Sequence, residues 1–277
     1  MTAQSKSETE SGSVEPGQLI ARGRTAEVFA FGEGRVLKLI RLEMPAGLGD
    51  HEAHAARVVD AAALPAPRLL ETVMLDGRFG LVYERIQGPS MFAEIGRHPL
   101  STPRQARAFA RLHADMHSAP GKGLPDLKAN LLRAIEAADL PPSLAAPVRE
   151  RLRALPDGTA MLHGDMHPGN VIMSGAGPKV IDWMTVSRGD PAADVARSMF
   201  LLRESDIPGA SGPQRAAMSV IRRWFAHSDL AEYVRCSGVE RDRILAWRPV
   251  ILAARLAEGI EQERDAILAK LERALAR

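Results

Sequence analysis

The sequence predicts an α+β chain in two parts, a sheet-forming N-terminal part followed by a mainly helical one. Three observations predict it. Short β-branched and aromatic runs recur between turn residues from Leu19 to Glu84. Alanine-rich segments with apolar residues at helical spacing dominate from Thr102 onward. One polar loop, His163 to Asn170, is held between short apolar runs inside the helical part.

Composition limits what such a chain does. Its 277 residues suffice for one large domain or two lobes with a substantial core. The formal net charge of +2 is small for this length, so no nucleic-acid partner is implied. Cys236 is the only cysteine, which excludes an intrachain disulfide and any need for an oxidising compartment. Residues Met1 to Glu15 lack the apolar centre of a signal peptide, and no apolar run approaches the roughly 20 residues that span a bilayer. The expectation is a cytoplasmic protein without a membrane partner; oligomeric state is not readable.

Residues 1–15, rich in Ser, Thr, Glu and Gly, read as a disordered tail. Three runs follow: Leu19-Ile20-Ala21, Glu27 to Phe31, and Arg35 to Arg41. Gly32-Glu33-Gly34 turns the chain between the last two. This is a three-stranded meander. The segment Arg22-Gly23-Arg24-Thr25-Ala26 is either an ordinary hairpin loop or a cover for phosphates, with backbone N–H groups and the Thr25 hydroxyl as donors. Alternation puts Val36, Lys38 and Ile40 on one face, so an ammonium group leaves an apolar surface. It needs an anion there unless it reaches water. A helix is expected over 50–63, with Asp50 as N-cap and Glu52 in its first turn. Leu69 to Leu75 and Arg78 to Glu84 flank Asp76-Gly77, a hairpin signal that completes five strands and one inserted helix.

Gln87–Ser90 breaks the strand pattern and marks the boundary between an N-lobe, 16–87, and a C-lobe, 88–277. Thr102-Pro103 opens a helix carrying Phe109, His113 and Met116. His113 and His117 stand one turn apart, a zinc-compatible spacing, but the sequence offers no third ligand nearby and packing is the preferred reading. Helices are expected at 124–138 and 142–155, then at 213–228, 239–258 with a break at Pro249, and 260–276. Asp190-Pro191 caps another between these groups.

The chemistry concentrates between Ala160 and Met184. Asp165 and Asp182 stand at separate strand ends, with the Asn170 amide between them in sequence. Such hard oxygen donors suit Mg2+, which takes the rest of its shell from water and substrate phosphates. With a further carboxylate to accept a proton and a lysine on a distant strand, phosphoryl transfer is the economical reading. A metal-dependent hydrolase using His163, Asp165 and His167 is an alternative, weakened by Pro168-Gly169 and the lack of a further histidine cluster.

His163-Gly164-Asp165-Met166-His167-Pro168-Gly169-Asn170 and Ile181-Asp182-Trp183 resemble the catalytic loop and metal-binding segment of the aminoglycoside phosphotransferase and choline kinase-like family. The resemblance runs over almost the whole chain from Gln18. It implies a bilobal protein kinase-like fold, with a five-stranded antiparallel sheet and one helix in the N-lobe and a mainly helical C-lobe. ATP is the implied donor, GTP not excluded, and the acceptor is a hydroxyl of a small molecule, whether aminoglycoside-, choline-, homoserine- or sugar-like. Asp165 becomes the catalytic base or hydroxyl-orienting carboxylate, and Asn170 and Asp182 the magnesium ligands. Lys38, paired with Glu52, contacts the α/β-phosphates. Val28 and Val36 line the adenine site, Glu84 to Ile86 supply backbone hydrogen bonds to the base, and Gly23 and Thr25 lie over the phosphates. His163, Asp190 and Asp194 take structural roles around the loop. Gly23 stands alone where protein kinases have three glycines. Only Trp183 to Gly189 separate Asp182 from Asp190, too few for the long activation segment of a protein kinase. Glu258, Glu261, Glu263 and Asp265 are either acceptor-attracting acids or, interleaved with arginines, a solvated helix face. A nucleotide-binding pseudokinase is the other alternative.

Overall fold

The structure is a computed structural model that describes residues 15–203 and 212–276. All but Glu15 of the expected tail lies outside the described residues. The chain divides into two compact units, one running up to Ala53 and joined by Pro67–Arg85, the other comprising His54–Ala66 and everything from Ile86.

The first unit is built on β1 (Leu19–Arg22), β2 (Ala26–Ala30), β3 (Arg35–Ile40), β4 (Leu69–Leu75) and β5 (Arg78–Glu84), with the start of α1 (Leu48–Ala61) inserted after β3. The strands form one antiparallel sheet in the order β1-β2-β3-β5-β4. Asp76 and Gly77 both have positive φ, 49° and 72°, as a two-residue hairpin turn with right-handed strand twist requires. The pleat splits β3 as its alternation implied: Leu37 and Leu39 join Phe31 and Val82 in an apolar cluster, and Lys38 projects to the other face. Helix α1 begins at Leu48, so Asp50 lies in its first turn rather than capping it. Its approach to the sheet depends on Gly49, where a Cβ would stand 2.3 Å from Cδ1 of Phe79.

The second unit contains α2 (Met91–Arg97), α3 (Thr102–His117), α4 (Leu127–Ala137) and α5 (Pro142–Ala154) before the polar loop. Helix α2 falls in a stretch without strong helical spacing and is started by Ser90, whose Oγ accepts the Ala93 N–H at 3.1 Å. Four short strands surround the loop: β6 (Ala160–Leu162), β7 (Val171–Ser174), β8 (Gly177–Val180) and β9 (Ser187–Gly189). β6 pairs with β9, and β7 with β8. Helices α6 (Pro191–Arg203), α7 (Gly212–Ser237), α8 (Arg241–Ala246), α9 (Arg248–Leu256) and α10 (Glu261–Leu275) complete the unit. The expected break near Pro249 falls at Trp247, because a proline that lacks an N–H is accommodated in the first turn of a new helix. Trp247, Tyr233 and Phe109 are among the largest fully buried side chains. Among the described residues, no helix is long and apolar enough to cross a membrane.

Candidate active site

In the first unit, Lys38 is met by an acid. Its Nζ donates to Glu52 Oε1 at 2.7 Å, and the Tyr83 hydroxyl donates to the same oxygen at 3.2 Å. Both charges are largely withdrawn from water, so the snorkelling alternative for Lys38 does not hold. Val28 is the direct cross-strand partner of Lys38, and Val36 lies two residues before it on the same face. In the Arg22 to Ala26 loop, the Gly23 N–H is used internally, donating to the Ala26 carbonyl at 2.8 Å, so that amide is taken. At the end of β5, the Glu84 N–H donates to Arg68 O at 3.1 Å and the Arg85 N–H to Gly34 O at 2.9 Å. The Ile86 amide has no hydrogen-bond partner among the described residues.

In the second unit, the β7–β8 register pairs Val171 with Val180, which puts Asn170 opposite Ile181 at the same hairpin end. The Ile181 N–H donates to Asn170 O at 2.9 Å. Residues far apart in sequence, Asn170 and Asp182, thus become neighbours. The Asn170 side-chain NH2 donates to the Asp165 carbonyl at 3.0 Å, which fixes the amide orientation and leaves its oxygen as the outward ligand end. Asp182 has φ of 65°, in the left-handed region that aspartate tolerates better than most residues.

His163 is fully buried and both its ring nitrogens are engaged: Nδ1 accepts the Asp165 N–H at 3.2 Å, and Nε2 donates to Ile181 O at 3.0 Å. The ring therefore ties the Asp165 segment to the Asp182 segment. Burial pushes its pKa down, against the pull of Asp194. With no free nitrogen, His163 does not fit the hydrolase reading. His167 accepts the Gly169 N–H at Nδ1, 3.1 Å, so Nε2 carries the hydrogen and faces Asp165 Oδ2 at 3.7 Å. Burial also lowers the His167 pKa, which makes this a polar contact rather than an ion pair at neutral pH.

Asp194 is the hub beneath the loop. Its carboxylate accepts the His163 N–H at 2.7 Å, the Gly164 N–H at 2.8 Å, and Nε2 of both His113 and His117 at 3.2 Å. Burial alone would raise this carboxyl, but the hydrogen bonds from His113 and His117 outweigh it and hold the pKa well below the ordinary range. Asp194 is also the third group that the sequence did not offer His113 and His117: one ligand atom from each of the three lies within 4.8 Å of the others. At 3.2 Å the imidazoles are hydrogen-bonded to the carboxylate, and the preferred packing reading of the two histidines describes them. Asp190 caps α6 through Ala192 N at 3.1 Å and binds Arg243 Nη2 at 2.8 Å and Trp247 Nε1 at 2.9 Å.

The model of the phosphotransferase enzyme family matches residues 17–233. The chain belongs to that family. Comparison with curated proteins gave no match. Among solved structures, this phosphotransferase-family chain is similar to aminoglycoside phosphotransferase APH(4)-Ia in a ternary complex with AMP-PNP and hygromycin B, at 18% identity, TM-score 0.64, over 96% of this chain and 95% of that one. An aminoglycoside-3'-phosphotransferase of type VIII matches at 21% identity and TM-score 0.60, covering 86% of this chain and 91% of its own. A choline/ethanolamine kinase family protein from Mesorhizobium loti matches at 21% identity and TM-score 0.56, covering 96% and 87%. At these identities they show the fold, which is the α+β kinase-like one expected from the sequence.

Arg197 was not singled out by sequence. Its Nη2 stands 3.8 Å from Asp165 Oδ1 and 2.6 Å from Glu258 Oε1. It sits one turn beyond Asp194 on α6, and only the position of that helix gives it meaning. Glu258 is also bonded to Arg255, which reaches Glu263 at 2.9 Å, so these two acids are paired with arginines rather than free to attract a cation.

Proposed function

We propose that the chain transfers the γ-phosphoryl group of ATP to a hydroxyl of a small molecule, in the cytoplasm and with magnesium. Membership of the phosphotransferase family supports the reaction class. The observation that carries the residue assignment is the β7–β8 hairpin end, which sets Asn170 beside Asp182 and bonds Asn170 to the Asp165 carbonyl.

Asn170 and Asp182 would hold the magnesium ion: their donor oxygens are hard, and the Asn170 amide is already turned with its oxygen free. When bound, the ion would offset negative charge on the phosphates. Lys38, with Glu52 fixing its ammonium group, contacts the α/β-phosphates; Thr25 and the Gly23 loop lie over them. Val28 and Val36 line the adenine, and the unpaired Ile86 amide beside Glu84 is the donor suited to the base. The Asp165 carboxylate accepts the acceptor's hydroxyl proton as the new oxygen–phosphorus bond forms and the bond to ADP breaks. Arg197 and His167, on opposite oxygens of Asp165, keep the carboxylate aimed. The pairing of Glu258 and Glu263 with arginines directs the acceptor search to neutral or zwitterionic hydroxyl compounds as well as aminoglycosides.

The test is ADP release with ATP or GTP across aminoglycosides, choline, homoserine and sugars. Asp165→Ala should keep the rise in melting temperature given by magnesium-ATP while transfer falls by about 10²–10⁴-fold. Normal turnover by this variant would remove Asp165 from the chemistry. Nucleotide binding without transfer to any acceptor would mark a nucleotide-binding module instead.

A further inference from the structure

Helices α3 and α7 pack side by side in matched register. Phe109 stacks edge-on to Phe225 with ring centroids 5.4 Å apart. Two turns along each helix, His117 Nδ1 meets the Tyr233 hydroxyl at 2.7 Å, a pair separated by 116 positions as the phenylalanines are. The layer between them holds His113 on α3 and, by the same offset, Asp229 on α7.

That middle layer is buried and polar. His113 has no exposed surface, and Asp229 and Ser198 almost none. Ser198 lies one turn past Asp194 on the same side of α6, which also packs on α7. His113 Nδ1, Ser198 Oγ and both Asp229 carboxylate oxygens have no hydrogen-bond partner among the described residues. Four such atoms on three packed helices are unusual, since buried polar groups are almost always satisfied. Their chemistry is complementary. His113 bonds the Asp194 carboxylate through Nε2, so a hydrogen sits there, and with that single ring hydrogen Nδ1 is an acceptor. His117 is arranged identically, and Tyr233 gives its Nδ1 a hydroxyl donor.

We propose that the Asp229 carboxyl group supplies the matching hydrogen bond to His113 Nδ1 through one internal water that also meets Ser198 Oγ, and that it thereby positions Asp194 and the loop bearing Asp165. The supporting chemistry is consistent: burial raises the Asp229 pKa well above the ordinary carboxylate range, which favours the neutral acid, the form with a hydrogen to give. Asp229 is a positioning residue, acting through His113 and Asp194 on the His163 and Gly164 amides. Its place in the loop's geometry is independent of which acceptor is used, and its readouts need no turnover.

The test compares Asp229→Asn, which keeps an N–H donor, with Asp229→Leu, which fills the space without one. Amide hydrogen exchange at His163 and Gly164 is read with the melting temperature. The leucine variant should exchange at these two amides about tenfold faster or more at an unchanged or higher melting temperature, while the asparagine variant stays within about threefold of the parent. In the unsubstituted chain, ¹⁵N spectra of labelled histidine should show His113 protonated at Nε2 only. Equal exchange in the two variants would show that the carboxyl merely fills space, and a proton on His113 Nδ1 would overturn the assignment. Should the leucine variant not fold, the histidine spectrum and the asparagine variant decide: an asparagine variant with about tenfold faster exchange at His163 and Gly164 would equally overturn it.

Discussion

Replacing Asp194 by alanine is expected to cost more than most single substitutions in this chain. The change strands four buried donors at once: the amides of His163 and Gly164 and the Nε2 groups of His113 and His117. A buried donor left without its acceptor costs roughly 1–3 kcal/mol. Neighbouring losses do not add in full, so the low end of the sum, about 4 kcal/mol, is the working figure. That is a large part of the roughly 5–15 kcal/mol that holds a domain folded. Asp194→Asn keeps one acceptor oxygen and should lose about half as much. Urea unfolding followed by tryptophan fluorescence measures both, and Trp183, whose ring lies 4.8 Å from that of His163, reports the loop directly. A loss below about 1 kcal/mol for the alanine variant would refute the reasoning that the loop hangs on this carboxylate.

Acid should weaken the second unit before most carboxylates titrate. Burial, with the nearby His113, lowers the His117 pKa from 6.5 to about 4, so between those values the unfolded chain binds the proton and the folded one does not. Stability is complete above about pH 6.5 and is lost as the pH falls toward 4, by about 3 kcal/mol at most; His117→Gln should flatten the slope of urea-measured stability against pH. Gly164→Ala should disturb the loop, because Gly164 has φ of 80° and an added Cβ would stand 2.6 Å from the Thr185 carbonyl oxygen; a strongly lowered magnesium-ATP thermal shift is the readout. Gly49→Ala pits helix propensity, which favours alanine by about 1 kcal/mol, against the Phe79 ring 2.3 Å away; the clash should win, and a higher melting temperature would contradict it. Lys38→Ala should weaken nucleotide use, with some loss of stability from removing the ammonium partner of buried Glu52, and unchanged ATP kinetics would remove Lys38 from the site.

The sequence made the sheet and the loop legible because both rest on local rules. Asp76-Gly77 names its own turn, and the alternation of Val36, Leu37 and Lys38 assigns each side chain a face. The anchor of Lys38 was also readable, since a charge on an apolar face needs an anion, but choosing Glu52 depended on family resemblance. What stayed hidden was set by helix docking. Nothing near Arg197 says that it reaches Asp165, and nothing in the spacing of His113 and His117 says that Asp194 joins them. Nothing in the sequence around Asp229, in the middle of α7, marks it as buried. Only the register of α7 on α3 puts it inside.

The bonds from Arg243 and Trp247 to Asp190 bear on how the protein is made. A chain emerging from synthesis has every residue of the candidate loop once Asp194 is formed, yet the buried Asp190 carboxylate waits for groups up to 57 positions further on. Until then the Asp190 carboxylate at the start of α6, four residues before Asp194, has only its cap bond to Ala192 N among the described residues. The loop is therefore expected to gain its full support only when the later helices dock. A chain cut where the family match stops, at Tyr233, would retain every residue proposed for nucleotide binding, metal binding or proton transfer and still be expected to lose its active geometry.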